Sequence, residues 1–333
     1  MTRLRMALLG LGGAGGALLA RLRSDERVEL VAVAERDRDL MRGVAGLDGV
    51  RFYEDYRSLI VEESRRTLDG LFVALEPFES VEFVEMAASL NLPVFHRPPF
   101  ARTTAEGRRI IEAFAGHPSS LVVPNLWRFD GALESAIAPD SPWGRLRAVN
   151  VLLNTTDEAT TWRGDSVRAG GGVLLNGAYD MVDLLIALGG LPELVHAECG
   201  QALPVGVPRT YDTEDFAAVT LRFGRDQVGT LTAWRGAARR TVGLSLLGSE
   251  GTMFLDDDGM VTIPRSGTEA RHTARDGTNP LEAALQAFLA MKSGDVRANF
   301  PPATKHLKTL AVIEAAYLSA KTGAAESPRQ FLE

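Results

Sequence analysis

Close to its start the chain carries glycines at a spacing that few folds can use, Gly10-Leu11-Gly12-Gly13-Ala14-Gly15. Before them lies Arg5-Met6-Ala7-Leu8-Leu9, a short apolar run of the kind buried in a parallel sheet. After them Leu18, Leu19 and Leu22 follow at helical spacing, and a second apolar run from Val28 to Ala34 ends at Glu35. Strand, glycine turn, helix, strand and acid in this order predict one βαβ unit. Each part has a mechanical reason. Gly10 permits the tight turn, Gly12 lets backbone approach a pyrophosphate, and Gly15 lets helix and strand pack closely. The helix N-terminus then offers unpaired N–H groups and a partial positive charge. A dinucleotide site built from Gly10, Gly12, Gly13, Ala14 and Gly15 is expected. Glu35 would accept hydrogen bonds from the adenosine ribose and repel a 2′-phosphate, which selects NAD. Arg36 and Arg38 keep NADP open, because either guanidinium would bind that phosphate.

The alternation continues as helix 54–66, strand 69–75, helix 79–90, strand 92–96, helix 103–115 and strand 120–125. That rhythm predicts an α/β doubly wound parallel sheet, a Rossmann domain over 1–126. Beyond it the period changes. Runs at 145–153, 193–201, 215–223, 227–234 and 241–247 read as longer strands, several of them alternating. Gly224-Arg225-Asp226 and Asp258-Gly259 read as hairpin turns. Residues 127–333 are therefore expected to form an α+β domain with a large, mostly antiparallel sheet. Its helices fall at 173–188, 280–292 and 302–322, the last free to pack back on the first domain. A chain of 333 residues is long enough for two cores. A sheet of this kind buries one face and leaves the other to a substrate or a second copy, so a homo-oligomer is expected through it.

A net charge of −7 argues against nucleic acid or an anionic membrane as the main partner. The longest apolar runs fall short of a membrane span. The opening Met-Thr-Arg-Leu-Arg-Met lacks the long uncharged segment of a signal peptide, and the single cysteine, Cys199, has no internal partner. Both point to the cytoplasm. His117, His196 and His272 stand apart without ligand spacing, so no metal site is expected.

The order of further motifs resembles the glucose–fructose oxidoreductase and inositol dehydrogenase (Gfo/Idh/MocA) family over nearly the whole chain. Val94 to Ala101 stands where the family has its Glu-Lys-Pro signature, and Arg128-Phe129-Asp130 resembles its Arg-Phe-Asp. Trp162-Arg163 followed by Gly170-Gly171-Gly172 resembles its glycine-rich entry to the helix bearing a catalytic histidine. Asp215 to Trp234, then Leu247 to Thr252, resembles its sheet strands and turn, and Glu314 to Gly323 its closing helix. The resemblance implies two domains, NAD or NADP, and hydride transfer at a hydroxyl- or carbonyl-bearing carbon of a sugar, cyclitol or similar small polyol.

The departures carry equal information. Family catalysis implies a lysine and a histidine that exchange the hydroxyl proton as hydride moves. Here the lysine position is Pro98, the glutamate position Arg97, and the histidine position Asp180, while Asn176 replaces an aspartate and Asp183 is kept. Leu75-Glu76-Pro77-Phe78-Glu79-Ser80 replaces the family's Thr-Pro-Asn-x-x-His. Asn176, Asp180 and Asp183 follow i, i+4, i+7 spacing with Tyr179 beside them, so a polar stripe facing the nicotinamide is one reading and a wet helix face the other. Asp180 would act as base if burial raised its pKa, Tyr179 as proton donor beside a cation, and His96 either as a substitute next to the vacated lysine or as a structural histidine hydrogen-bonded at the strand end. Arg97 would meet an anionic substrate or a pyrophosphate oxygen, or else lie in a surface ion pair. Asn176, Asp183, Arg128, Trp162 and Arg163 are the expected substrate contacts. Lys305 and His306 open the last helix, where they read as solvated helix-terminus charges, the alternative being an approach to the domain cleft. The rival functional reading is a catalytically silent dinucleotide- or sugar-binding sensor.

Overall fold

The computed structural model describes residues 3–44, 46–117, 120–129, 133, 143–159, 161–202, 210–256, 259–265, 270–273, 279–292 and 300–333. They cluster into two compact units: Met1–Ala101 with Ala105–Pro124 and Glu282–Lys305, and Arg102–Thr104 with Asn125–Leu281 and His306–Glu333. The chain thus crosses between units more often than a single boundary at 126 allows. The segment 282–305 joins the first unit, and the helix following it lies in the second.

In the first unit strands and helices alternate, and a helix and a short strand between Arg38 and Tyr53 add to the elements expected. The full order is β1 (Leu4–Leu9), α1 (Ala14–Ser24), β2 (Val28–Ala34), α2 (Arg38–Val44), β3 (Arg51–Tyr53), α3 (Tyr56–Ser64), β4 (Gly70–Val73), α4 (Pro77–Ser89), β5 (Val94–His96), α5 (Thr104–Ala113) and β6 (Leu121–Val122). All five pairings are parallel and the order is β3-β2-β1-β4-β5-β6. The direction of winding reverses between β1 and β4, and ligands of such sheets bind beyond the carboxyl ends of the strands there. Local chemistry sets the helix starts. The Asp55 side chain accepts from the Ser58 N–H to cap α3, and Pro77 opens α4, where its missing N–H costs nothing. Phe72 on β4, Phe95 on β5 and Phe288 meet ring to ring at 5.4–5.6 Å. Burying each such ring contributes about 2–3 kcal/mol.

The second unit is built on eight strands: β7 (Leu146–Asn154), β8 (Leu194–Gly200), β9 (Phe216–Arg222), β10 (Val228–Trp234), β11 (Thr241–Gly248), β12 (Gly251–Asp256), β13 (Gly259–Pro264) and β14 (Ala270–Thr273). Their order is β14-β13-β12-β11-β7-β10-β9-β8, antiparallel except for the β7–β10 pair. The hairpin at 224–226 is present, and β12 pairs with β13 up to Asp256–Gly259; Asp258 lies outside the described residues, as does Asp130. Alternation sorts the faces. Val149, Val151 and Leu153 of β7 and Leu231 and Ala233 of β10 are buried. On the opposite face Leu152, Trp234, Leu247 and Phe254 are 41–49% exposed. The helices are α6 (Ser166–Ala169), α7 (Tyr179–Gly189), α8 (Pro280–Lys292), which runs from the second unit into the first, and α9 (Lys305–Thr322). Among the described residues no single helix is long and apolar enough to cross a membrane.

One helix departs from expectation. The segment 173–188 is not continuous: Val173–Gly177 forms a single π-helical turn, the backbone breaks at Ala178, and α7 starts anew, bent by 55° from the segment Ser166–Gly177.

Candidate active site

The turn from β1 into α1 separates two kinds of glycine. Gly10 sits at φ +89°, and a side chain there would come within 2.9 Å of the Ala74 carbonyl oxygen. A Cβ on Gly15 would overlap the Gly10 carbonyl, so α1 can start against the turn only with glycine at that position. Gly12 and Gly13 meet no such neighbour. The nearest atom to a Cβ on Gly12 is Glu76 Oε1 at 4.0 Å, and Gly13 has nothing within 4 Å. Two glycines therefore serve packing and two bare their backbone to open space. Helix α1 has neither a side-chain cap nor an acid in its first turn; the Gly15 N–H donates to the Gly12 carbonyl at 2.8 Å, and the partial positive charge of the helix start is left for an anion. The residues present fit a dinucleotide diphosphate.

Glu35 is buried at the end of β2, where Oε2 accepts from the Leu11 N–H at 2.7 Å and Oε1 from the Asp37 N–H at 2.9 Å. The acid is thus oriented by the glycine turn itself. Arg36 lies over the Tyr56 ring at 4.8 Å and bonds Glu79 at 3.0 Å, and Arg38 pairs with Glu54 on the surface.

His96 ends β5 with no exposed surface. Its Nδ1 lies 2.6 Å from the Arg97 carbonyl oxygen, which can only accept, so the proton sits on Nδ1. Its Nε2 is buried without a hydrogen-bond partner among the described residues. Burial pushes the imidazole down to about 4 against the opposing effect of that carbonyl. Arg97 is half-buried and its N–H donates to Val73 O at 3.0 Å.

The break at Ala178 abolishes the i, i+4, i+7 register, and the four polar residues part company. Asp183 is 2% exposed. Its Oδ2 accepts from Asn125 Nδ2 at 2.7 Å and from Arg128 Nε and Nη2 at 3.1 Å each, and its Oδ1 from Thr309 Oγ1 at 3.2 Å. Burial alone would raise its carboxyl, but the charges of His306 and Arg128 and these hydrogen bonds outweigh it and hold the group below its ordinary value. Arg128, expected to meet substrate, is tied to this carboxylate. Tyr179 is 2% exposed, stacks on His306 at 6.0 Å and has its hydroxyl 3.2 Å from His306 Nδ1. Burial, with the charges of Asp183 and Asp180, pushes the phenol far above its ordinary range, the opposite of the depressed value a proton donor requires. His306 itself is wholly buried, which corrects the solvated helix-terminus reading; Lys305 is exposed.

Asn176 is half-buried and turned back on its own loop, its Nδ2 donating to Gly171 O at 2.7 Å and Ala169 O at 3.2 Å. Asp180 is half-buried and lines a cavity of about 190 Å3 with Trp127, Arg240 and Asn279. Trp162 is buried under the Arg163 guanidinium, 4.7 Å above its ring. A larger cavity of about 740 Å3 opens at the ends of β7 and β10 beside Tyr211, Trp234 and the buried Asp215–Arg235 ion pair, and none of the expected site residues lines it. Among the described residues no group of three or more His, Cys, Asp or Glu is placed to hold a metal.

Sequence reasoning missed Asn125, Thr309, Glu214 and Tyr317. Asn125 lies three residues before Arg128 and was within reach of the same motif. The others act across 40 or more residues of chain and leave no local signal.

Comparison with known proteins adds the following. Residues 4–124 match the model of an oxidoreductase family with an NAD-binding Rossmann fold, and residues 140–254 match the GFO/IDH/MocA C-terminal domain. A search of curated proteins finds no match. Among solved structures, the WlbA dehydrogenase from Bordetella pertussis, in complex with NADH and UDP-GlcNAcA, is similar at 20% identity over 98% of each chain with a TM-score of 0.78. An oxidoreductase from Agrobacterium radiobacter in complex with NAD+, L-tartaric acid and magnesium is 17% identical over 99% of each chain, TM-score 0.81. Levoglucosan dehydrogenase in its apo form is 20% identical over 98% of this chain and 99% of its own, TM-score 0.82. At these identities the likeness concerns the fold.

Proposed function

Because the chain belongs to the GFO/IDH/MocA family of NAD-binding oxidoreductases, we propose that it moves hydride between NAD and a hydroxyl- or carbonyl-bearing carbon of a sugar, cyclitol or similar small polyol. The bound nicotinamide supplies the hydride acceptor or donor. The observation that carries the reading is the open backbone at Gly12 and Gly13 before an uncapped α1, with Glu35 fixed beside it. Glu35 reads the adenosine ribose and Arg36 flanks it.

Proton transfer falls to Asp180. Of the three catalytic candidates it alone is half-buried and lines a cavity, whereas Tyr179 is buried against His306 and His96 is buried with its proton held by the Arg97 carbonyl. As hydride leaves the carbinol carbon, the hydroxyl proton passes to the Asp180 carboxylate; in the reverse direction the protonated carboxyl returns it. Arg240 and Asn279 around the same cavity orient substrate oxygens. The small-molecule ligands named for the WlbA and Agrobacterium structures support a polar, oxygen-rich substrate. Purified protein with NAD or NADP, followed at 340 nm against sugars, cyclitols and their keto forms, tests the proposal. Turnover with at least one polyol class is expected, and silence across the panel contradicts it.

The sequestration of Tyr179 and His96 favours one rival, a sensor that binds dinucleotide or sugar without turnover. Calorimetric binding of NAD without reaction on the same panel supports that rival. We further propose that the protein works in the cytoplasm as a homo-oligomer through the open face of its eight-stranded sheet.

A further inference from the structure

Gly170-Gly171-Gly172 invites reading as a ligand loop, yet each glycine is abutted by the protein itself. A Cβ on Gly170 (φ +74°) would meet Arg102 Cβ at 2.6 Å, one on Gly171 would overlap the Tyr317 hydroxyl, and one on Gly172 the Glu214 carbonyl oxygen. Glu214, just before β9, is half-buried, and both its carboxylate oxygens are engaged. Oε2 accepts from the Gly172 N–H at 2.6 Å; Oε1 accepts from the Leu174 N–H at 2.9 Å and from the Tyr317 hydroxyl at 2.9 Å. Tyr317, on α9, accepts in turn from the Leu175 N–H at 3.2 Å. The Glu214 backbone carbonyl takes the Val173 N–H at 3.1 Å.

Four consecutive amides, 172 to 175, thus end on one glutamate and the tyrosine behind it. They are the amides that open the π-helical turn, which has no side-chain cap of its own. From the other side Asn176 binds the carbonyls of Gly171 and Ala169. A turn held at both edges in this way fixes where α7 begins, and Asp180 is the second residue of α7. We infer that Glu214, backed by Tyr317, is a positioning residue that sets the glycine loop and the π-turn, and through them the orientation of Asp180. The inference rests on the proposed role of Asp180 for its catalytic consequence, but not for the clamp itself. Burial pushes the Glu214 carboxyl up, and the titratable groups that face it are Tyr317 on α9 and Cys199 on β8.

The test compares wild type with Glu214→Gln, Tyr317→Phe and the double variant in the full chain. An amide at 214 turns an N–H toward a backbone N–H and releases one edge of the loop. The expected result is a fall in kcat of about tenfold or more in Glu214→Gln, because small misplacements of a reacting group cost that much. The Kd for NAD should stay within about twofold of wild type, and the double variant should be no worse than Glu214→Gln, as expected for residues acting as one unit. Hydrogen exchange at the amides of Gly172, Leu174 and Leu175 should accelerate about tenfold or more in Glu214→Gln, with those of β1 and β4 unchanged. Unchanged kcat, unchanged protection of these amides, or fully additive effects overturn the inference. If Glu214→Gln fails to fold, Tyr317→Phe carries the same readouts. If wild type turns over nothing, the oxidoreductase reading falls, while the exchange measurement still decides the clamp.

Discussion

A buried imidazole whose one proton is held by the next residue's carbonyl stays neutral at physiological pH, and His96 meets both conditions. The unfolded chain takes up a proton at His96 near its ordinary 6.5, the folded chain only near 4. Between those values the unfolded state holds more protons, so stability falls as pH falls. At pH 5 the loss relative to pH 7 amounts to about 2 kcal/mol. Urea denaturation at the two pH values should show that loss in wild type and a smaller one in His96→Gln; an equal drop in both would refute the assignment. Residue types at this scale were legible in the sequence, environments were not. Asp180, Asp183, Tyr179 and Asn176 were all found as polar members of one segment. What separates them, the inward turn of Asp183 onto Asn125, Arg128 and Thr309 and of Tyr179 onto His306, depends on residues up to 127 positions away.

Among the elements, the βαβ unit was read correctly because its signals are local: apolar run, glycine turn, helical leucines, acid. The same locality yields a sharp contrast between two substitutions. Gly15→Ala places a methyl on the Gly10 carbonyl and should lower the thermal midpoint by several degrees, the equivalent of about 1–3 kcal/mol. Gly12→Ala meets nothing closer than 4.0 Å and should leave the midpoint nearly unchanged, while weakening NAD by about tenfold or more, since the methyl stands where the pyrophosphate approaches. Thermal melts and calorimetric titration of both variants check this, and equal affinity in Gly12→Ala and wild type would count against the cradle. The π-turn at 173–177 escaped sequence reading for the opposite reason. Its amides end on Glu214 and Tyr317, so the helical pattern of 173–188 continues in sequence while the helix itself does not. No strand run was read for β12, β13 or β14, although the Asp258-Gly259 hairpin implied a strand on either side; they lie toward one edge of the sheet, where pairing, not period, defines them.

For the whole molecule, composition and the change of period near 126 gave two domains of the right classes. The return of 282–305 to the first unit could not be read, because a helix such as α8 shows its apolar face but not which core receives it. The open face of the second unit's sheet carries the clearest consequence at this scale. Its exposed Leu152, Leu247 and Phe254 lie on three neighbouring strands, and exposed apolar surface of this kind marks an interface. Light scattering should find a dimer or larger assembly in wild type, and Phe254→Glu should shift it toward monomer without loss of fold. A monomeric wild type at micromolar concentration would remove the proposed oligomer.

The proposed reaction turns on Asp180 handling the proton while NAD takes the hydride. Asp180→Asn keeps the side chain's shape and removes its basicity, so its turnover at 340 nm with the best polyol from the panel is the direct measurement. A kcat reduced by about 100-fold or more, with NAD affinity unchanged, is the expected result. A kcat within about twofold of wild type would contradict the assignment of Asp180 as the proton-transfer residue.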